Sequence, residues 1–168
     1  NSGFEQQKLS LKHGWAGSHI SSQTHLSMVN LNQETAGYIR GENTYKDSAL
    51  WKTNPNPEAY RDGQALRLSS HISGTSEHSK DWKITPYLRH SSMNFLQHYL
   101  PGKPVEKNGQ TSAGMQSSLK QRLNSSTSLW VGADLEWASM WVEEFQANAL
   151  GSVDNVRYQG QHYDFEVN

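Results

Sequence analysis

The chain has 168 residues, which is enough for one ordinary domain with its own core. Only 34% of the residues are hydrophobic, yet six tryptophans, seven tyrosines and four phenylalanines are too many aromatic residues for a disordered chain. The formal net charge of -1 offers no basic field to attract nucleic acid, and the lack of cysteine excludes disulfides and thiolate metal sites. An ordered but polar fold is indicated. A wide membrane β-barrel has this composition, because every second residue of each strand faces a wet interior.

The sequence contains no stretch that approaches the roughly 18 consecutive apolar residues of a membrane helix, so only strands could cross a membrane. It also has no initiator methionine and no signal peptide. Because it opens just before one strand-like run and stops just after another, we expect it to be part of a longer protein.

A first strand is predicted over residues 8–15, where apolar Leu9, Leu11 and Trp15 alternate with polar residues. This two-residue period is typical of a strand with one apolar face. A turn is predicted at Ala16-Gly17-Ser18.

The second run, residues 19–33, changes phase along its length. Leu26 and Met28 share one phase, whereas Val29 and Leu31 share the other. The pattern therefore predicts either a β-bulge or a strand that is apolar on both sides.

A large loop is predicted over residues 34–61, because the Asn54-Pro55-Asn56-Pro57 sequence excludes a central strand. Alternation then returns with Leu66, Leu68 and Ile72, which predicts a third strand ending in a short polar turn.

The next strand is predicted from Trp82, Ile84 and Leu88, which alternate with polar residues, and it continues to about Tyr99. A medium-length loop follows, bounded by Pro101-Gly102 at its start and Asn108-Gly109 at its end.

Two further strands are predicted at 110–123 and 128–146, separated by a short turn at 124–127. The second has the clearest alternation in the sequence. A third loop is expected from about Ala147, before a polar and aromatic segment at 158–167. The face of strand 128–146 that we expect to be apolar carries Leu129, Val131, Ala133, Leu135 and Trp137.

The connections alternate between short and long along the whole chain. A bacterial membrane barrel has short periplasmic turns, longer outer loops and strands of about ten residues or more. A soluble β-sandwich has shorter strands and no reason to sort its loops by length. The pattern favours an antiparallel up-and-down transmembrane β-barrel and leaves a soluble all-β domain as the alternative.

Several segments resemble the barrel region of TonB-dependent receptors for iron complexes. The first is 54–62 (NPNPEAYRD), which runs into 66–69 (LRLS). The second is 86–89 (PYLR), followed by 93–102 (MNFLQHYLPG) and then by Glu106 and Asn108-Gly109-Gln110. Supporting matches are 132–136 (GADLE) and 161–165 (QHYDF).

This resemblance implies that residues 1–168 form about six or seven strands of a 22-stranded barrel in the bacterial outer membrane. Such receptors bind a ferric-siderophore-like chelate at their outer loops and pass it inward with energy from the TonB complex. The plug domain that closes the barrel and the short TonB-contacting box are expected outside this chain. Lipid, the plug and the TonB complex are thus the implied partners, with no cofactor, no nucleic acid and no enzymatic activity.

Charged residues are predicted to share the inward face of the strands. If the strands form a barrel, these residues face its lumen and form a network of ion pairs with neighbouring strands and with the plug. The alternative is that they are the solvated face of an open sheet. Two of them, Asp134 and Glu136, lie two residues apart on one strand face, which is too weak a pattern to assign acid-base catalysis. The set is Arg67, Lys83, Arg89, Lys120, Arg122, Asp134 and Glu136.

Ligand-binding candidates lie in and beside the two predicted outer loops. Aromatic rings and guanidinium groups can hold a planar anionic chelate through stacking and charge-assisted hydrogen bonds. The alternative is that each loop packs on itself. The candidates are Tyr38, Arg40, Trp51, Tyr60, Arg61, His98 and Tyr99.

Histidines and tryptophans suggest two further features. His13, His19 and His25 repeat every six residues, but the predicted turn at Gly17 separates the first from the others, so we expect no protein-bound metal. The tryptophans fit an aromatic girdle at the membrane boundary or ordinary sheet packing equally well. They are Trp15, Trp82, Trp130, Trp137 and Trp141.

A soluble, secreted β-rich module that binds carbohydrate is the main alternative function, since loop tryptophans and tyrosines would suit it. An enzyme is the third possibility. Loss of turnover on Asp134→Asn or Glu136→Gln would support it.

Overall fold

A computed structural model of the chain describes residues 3–76, 80–146 and 159–167, and these residues form one antiparallel sheet. Seven strands follow each other across the sheet in chain order, so each strand pairs with its sequence neighbours. This arrangement confirms the prediction of an all-β, antiparallel fold. The sheet is open over the described residues. The strands are β1 (Phe4–Ala16), β2 (Ile20–Glu34), β3 (Tyr60–Ser76), β4 (Lys80–Leu96), β5 (Val105–Arg122), β6 (Ser128–Gln146) and β7 (Gln159–Val167).

The strand register assigns each residue to a face of the sheet. Residues paired directly across two strands point to the same side, and successive residues along a strand point to opposite sides. We call one side the apolar face. One row across it consists of Leu11, Leu26, Leu68, Leu88, Ala113 and Trp137. We call the other side the polar face. The adjacent row across it consists of Ser10, Ser27, Arg67, Arg89, Ser112 and Ala138.

The connections alternate in length as predicted. Segments 17–19 and 123–127 join neighbouring strands at one end of the sheet, which we call the short-turn end. Segments 35–59 and 97–104 join neighbouring strands at the other end, which we call the long-loop end. Residues 77–79, within the short turn predicted after the third strand, lie outside the described residues. The third predicted loop, from about Ala147, lies outside the described residues.

The second strand contains no bulge. β2 pairs residue by residue with β1 and with β3 over its whole length. Leu26 and Met28 lie on the apolar face, while Val29 and Leu31 lie on the polar face. Of the two predicted explanations for the change of phase, the strand with apolar residues on both sides is therefore correct.

Two predicted loops are shorter than expected. Tyr60 and Arg61 belong to β3 rather than to the first loop, and β4 ends at Leu96, before Tyr99. β5 begins at Val105, so Asn108-Gly109 is part of a strand and does not end a loop. The Asn-Gly pair was a misleading turn signal, because Gly109 lies directly opposite Trp141 of β6 and leaves room for its indole ring.

The described part of the chain has almost no enclosed core. Among residues 3–76 and 81–145, whose burial the structure describes, the buried hydrophobic residues are Ala59 and Ala138, and the buried polar residues are Gln97 and Ser112. No helix among the described residues is long and apolar enough to cross a membrane. The only helical element described is a short 3-10 turn at Thr44–Lys46.

Candidate functional site

Large hydrophobic side chains are exposed in a broad band on the apolar face. Leu135 is 67% exposed and Val131 is 58% exposed, although both lie within β6 rather than at its terminal residues. An uncovered apolar surface of this kind marks an interaction surface. The exposed residues of the band are Leu9, Leu11, Ile20, Met28, Leu68, Leu88, Met115, Leu119, Leu129, Val131 and Leu135. Its half-buried residues are Leu26, Leu66, Ile72 and Ile84.

The apolar band ends before the strands do. Towards the long-loop end the same face carries Asn30, Asn32, Asp62, Gln64 and Asn94. On β6 the apolar stretch occupies positions 129–137, which at about 3.4 Å per residue extend for about 27 Å along the strand. A strand that crosses a bilayer at a tilt requires about 9–11 residues, and the stretch 129–137 is at the lower end of that range.

The polar face collects the charged residues predicted from the sequence. Following the register from β3 to β6 places every member of the predicted inward set on this one face, interspersed with serine, threonine and glutamine. The strand alternation thus keeps these seven charges off the face that carries the apolar band. The set is Arg67, Lys83, Arg89, Lys120, Arg122, Asp134 and Glu136.

Small residues of β5 allow side chains of β4 and β6 to meet on the polar face. The Arg89 guanidinium lies 3.7 Å from the Glu136 carboxylate and 4.3 Å from the centre of the Tyr87 ring. The Tyr87 hydroxyl faces the same carboxylate. The residues of β5 that lie between them are Ser112 and Gly114, whose small size leaves this space open. The sequence alternation predicted that Arg89 and Glu136 lie on the same face, but it did not predict the cluster that they form with Tyr87.

The tryptophans are divided between the two faces. Trp15, Trp82, Trp137 and Trp141 lie on the apolar face, where a girdle requires them. Trp130 lies on the polar face, with the Lys120 ammonium 5.2 Å from its ring centre. It therefore cannot belong to a girdle on the apolar face, since one step along a strand reverses the side of the sheet.

The ligand candidates all lie at the long-loop end, but they differ in solvent exposure and in their contacts with neighbouring side chains. Tyr60 and Arg61 begin β3, and the Arg61 guanidinium donates a 2.8 Å hydrogen bond to the Gln33 side chain. Arg40 lies 5.3 Å from the centre of the exposed Tyr38 ring, and Trp51 is also exposed. Arg40, Tyr38 and Trp51 are thus the candidates of the first loop that remain accessible.

The second loop contributes His98 and Tyr99, whose rings meet edge to face with their centres 5.6 Å apart. Tyr99 is exposed, whereas His98 is partly covered. The ring contact shows that these two candidates pack on each other. Tyr99 presents the more accessible surface to a ligand.

An ion pair between Glu58 and Lys103 joins the first loop to the second. The Lys103 ammonium, with the backbone amide of Glu58 itself, lowers the pKa of Glu58 from 4.5 to about 2. The pair therefore supports the loop arrangement fully above pH about 4.5, and this support is lost as the pH falls towards 2. Sequence reasoning missed this pair because no spacing rule connects charges in separate loops.

The described residues contain no group of three histidine or acidic side chains that could hold a metal ion. His13 and His25, two of the regularly spaced histidines, lie on opposite faces of the sheet. His25 instead lies 2.9 Å from the hydroxyl of Ser10 through its Nε2 atom. Comparisons of the chain with protein-family models, with curated proteins and with solved structures give no match.

Proposed function

We propose that this chain is part of the wall of an outer-membrane β-barrel of the TonB-dependent receptor type, which takes up ferric-siderophore-like chelates. The apolar face lies against lipid, and the polar face lines a hydrated lumen closed by a plug. The short-turn end faces the periplasm, and the long loops bind ligand outside the cell. The chain contributes binding and passage rather than covalent chemistry.

The observation that carries this proposal is the exposed apolar band on one face of six consecutive strands. In water, an apolar surface of this extent would cause the protein to self-associate. In contact with the hydrocarbon chains of a bilayer, the same surface is stable. The opposite face is charged, as the lumen side of a wide barrel is. The sorting of loop lengths to the two ends agrees with the same orientation.

The soluble carbohydrate-binding alternative requires the apolar band to be enclosed. Residues 3–76, 80–146 and 159–167 form a single layer that does not enclose it. Among residues 3–76 and 81–145, whose burial the structure describes, Ala59 and Ala138 are the buried hydrophobic residues. A second layer would have to cover Leu129, Val131 and Leu135. The lipid-facing assignment requires no such layer.

Site-directed spin labelling tests the orientation of β6. The chain has no cysteine, so Leu129→Cys, Val131→Cys and Leu135→Cys each provide a single attachment site, and Asp134→Cys and Glu136→Cys provide matched sites on the other face. In the membrane-embedded protein, we expect apolar oxygen to relax labels at the first three positions more strongly. A water-soluble nickel chelate should relax labels at 134 and 136 more strongly.

Two results of this experiment would contradict the proposal. Protection of positions 129, 131 and 135 from both reagents would place them in a closed protein core, as in a soluble module. Equal access of the nickel chelate to both sets would place both faces of the sheet in water.

The ligand assignment is tested at the first loop. Arg40→Ala removes a guanidinium beside the exposed Tyr38 ring and should weaken binding of a ferric catecholate complex about tenfold, since hydrogen bonds to charged groups contribute about 1.5–3 kcal/mol. Fluorescence quenching in the purified receptor measures the affinity. Lys46→Ala is the control, because Lys46 lies over Tyr45 of the same loop at 5.5 Å. Equal losses in both variants would show only a general charge effect.

A further inference from the structure

Two arginines lie side by side in the central row of the polar face. Arg67 of β3 is paired directly with Arg89 of β4, and the next residues of the row are Ser27 on one side and Ser112 on the other. Like charges directly opposite each other on neighbouring strands are destabilising unless an anion lies between them. On the Ser27 side the short side chain leaves open space beside Arg67, whereas Ser112 is buried beneath Arg89 and Glu136.

The charge of this pair is only partly balanced by the described residues. Arg89 has the Glu136 carboxylate at 3.7 Å. The guanidinium of Arg67 is exposed and makes no ion pair or hydrogen bond within the described parts of the chain. The adjacent rows of the same face add positive charge through Lys8 and Lys12. The centre of the polar face therefore has an excess of positive charge.

A cavity of about 410 Å³ opens at this pair. Its lining combines hydrogen-bond donors with the apolar side chains Val29 and Ala65, and it includes no aspartate or glutamate. The residues that matter here are His25, Ser27, Arg67, Arg89 and Gln110. Two planar guanidinium groups with amide and hydroxyl donors beside them form a set of donors that suits the oxygen atoms of a carboxylate or a phosphate.

We propose that this cavity is a binding site for the oxyanion group, carboxylate or phosphate, of a small solute. Arg67 is the primary ligand, because its fork of donors is unoccupied. Arg89 is held in place by Glu136 and Tyr87 and adds a second, oriented guanidinium. The site goes beyond the loop-based binding of a chelate, and it does not depend on what covers the apolar face.

Calorimetric titration of the purified, folded protein with inorganic phosphate and with citrate tests this site. We expect saturable binding of one anion per chain for at least one of the two probes. Arg67→Gln should weaken that binding about tenfold, and Arg67→Lys, which keeps the charge but loses the bidentate geometry, should weaken it less. The fold should tolerate Arg67→Gln, since the substitution removes a like-charge contact, and its thermal unfolding midpoint should be unchanged or higher.

Lys83→Gln is the matched control, because it removes one positive charge from the same face at a distance from the cavity. It should change the affinity less than twofold. An equal loss with Lys83→Gln would show a diffuse electrostatic effect and would overturn the site. Failure of the folded wild-type protein to bind either probe would also overturn it, including the case in which a carboxylate of the same protein already fills the cavity.

Discussion

Replacing Leu135 with arginine should destabilise the protein folded in lipid bilayers by about 2–4 kcal/mol, which is the cost of a cation near the middle of the hydrocarbon layer on the outer face of a barrel. Leu135 lies on the apolar face of β6 and is 67% exposed, so the arginine would meet no steric obstacle there. The effect should therefore come from lipid alone. Reversible urea unfolding in phospholipid vesicles measures it.

Gln116→Arg is the control for this experiment. Gln116 lies on the polar face of β5, directly opposite Asp134, so an arginine at this position gains a carboxylate neighbour instead of contacting lipid. Its free energy of unfolding should stay within about 0.5 kcal/mol of the wild-type value. If Leu135→Arg is as mild as Gln116→Arg, the apolar face is in contact with water and the membrane assignment is wrong.

The strands of the sheet could be predicted from the sequence because alternation is a local property. Leu129, Val131 and Leu135 alternate with polar residues over a long run, and β6 occupies Ser128–Gln146, as expected. The same alternation placed the charged residues on one face. What this face contacts stays a prediction, since a two-residue period does not distinguish a lumen from bulk water.

Contacts between strands could not be predicted, because they depend on the register and not on spacing within one strand. The Arg89–Glu136 pair reaches across β5, and the Glu58–Lys103 pair joins two loops. The Asn108-Gly109 pair, which indicated a turn, is incorporated into β5 because a tryptophan of the next strand covers the glycine. Local turn propensity was outweighed by a tertiary contact.

Glycines opposite aromatic residues recur in this sheet and connect its register to its side-chain packing. A Cβ atom added to Gly74 would lie 2.6 Å from the Trp82 ring, and one added to Gly109 would lie 2.5 Å from the Trp141 ring. Both glycines are paired directly with their tryptophans on the apolar face. Gly114 is paired in the same way with Tyr87 on the polar face. Such pairs fix the register, since a shift by one residue would leave the ring without its space.

Gly114→Val should have the largest effect among substitutions on the polar face. Its Cβ would overlap the Tyr87 ring and would lie 2.7 Å from the backbone carbonyl oxygen of Leu135, which cannot move without disturbing β6. Overpacking of this kind typically costs about 1–3 kcal/mol. Displacement of Tyr87 would also release Arg89 from its position over the ring. Urea unfolding in vesicles gives the stability, and phosphate titration should show weaker binding at the arginine pair.

Gly14→Val provides the control, because Gly14 also lies on the polar face of a strand but has no atom within 4 Å of its potential Cβ. Valine favours extended backbone, so this variant should be neutral to within about 0.5 kcal/mol or slightly more stable.

A second variant separates ring overlap from backbone overlap. In Tyr87→Ser the ring is gone, and adding Gly114→Val to it should cost less than in the wild-type chain, with the remainder due to the Leu135 carbonyl. Equal costs for Gly114→Val in both backgrounds would show that Tyr87 does not occupy the space above Gly114.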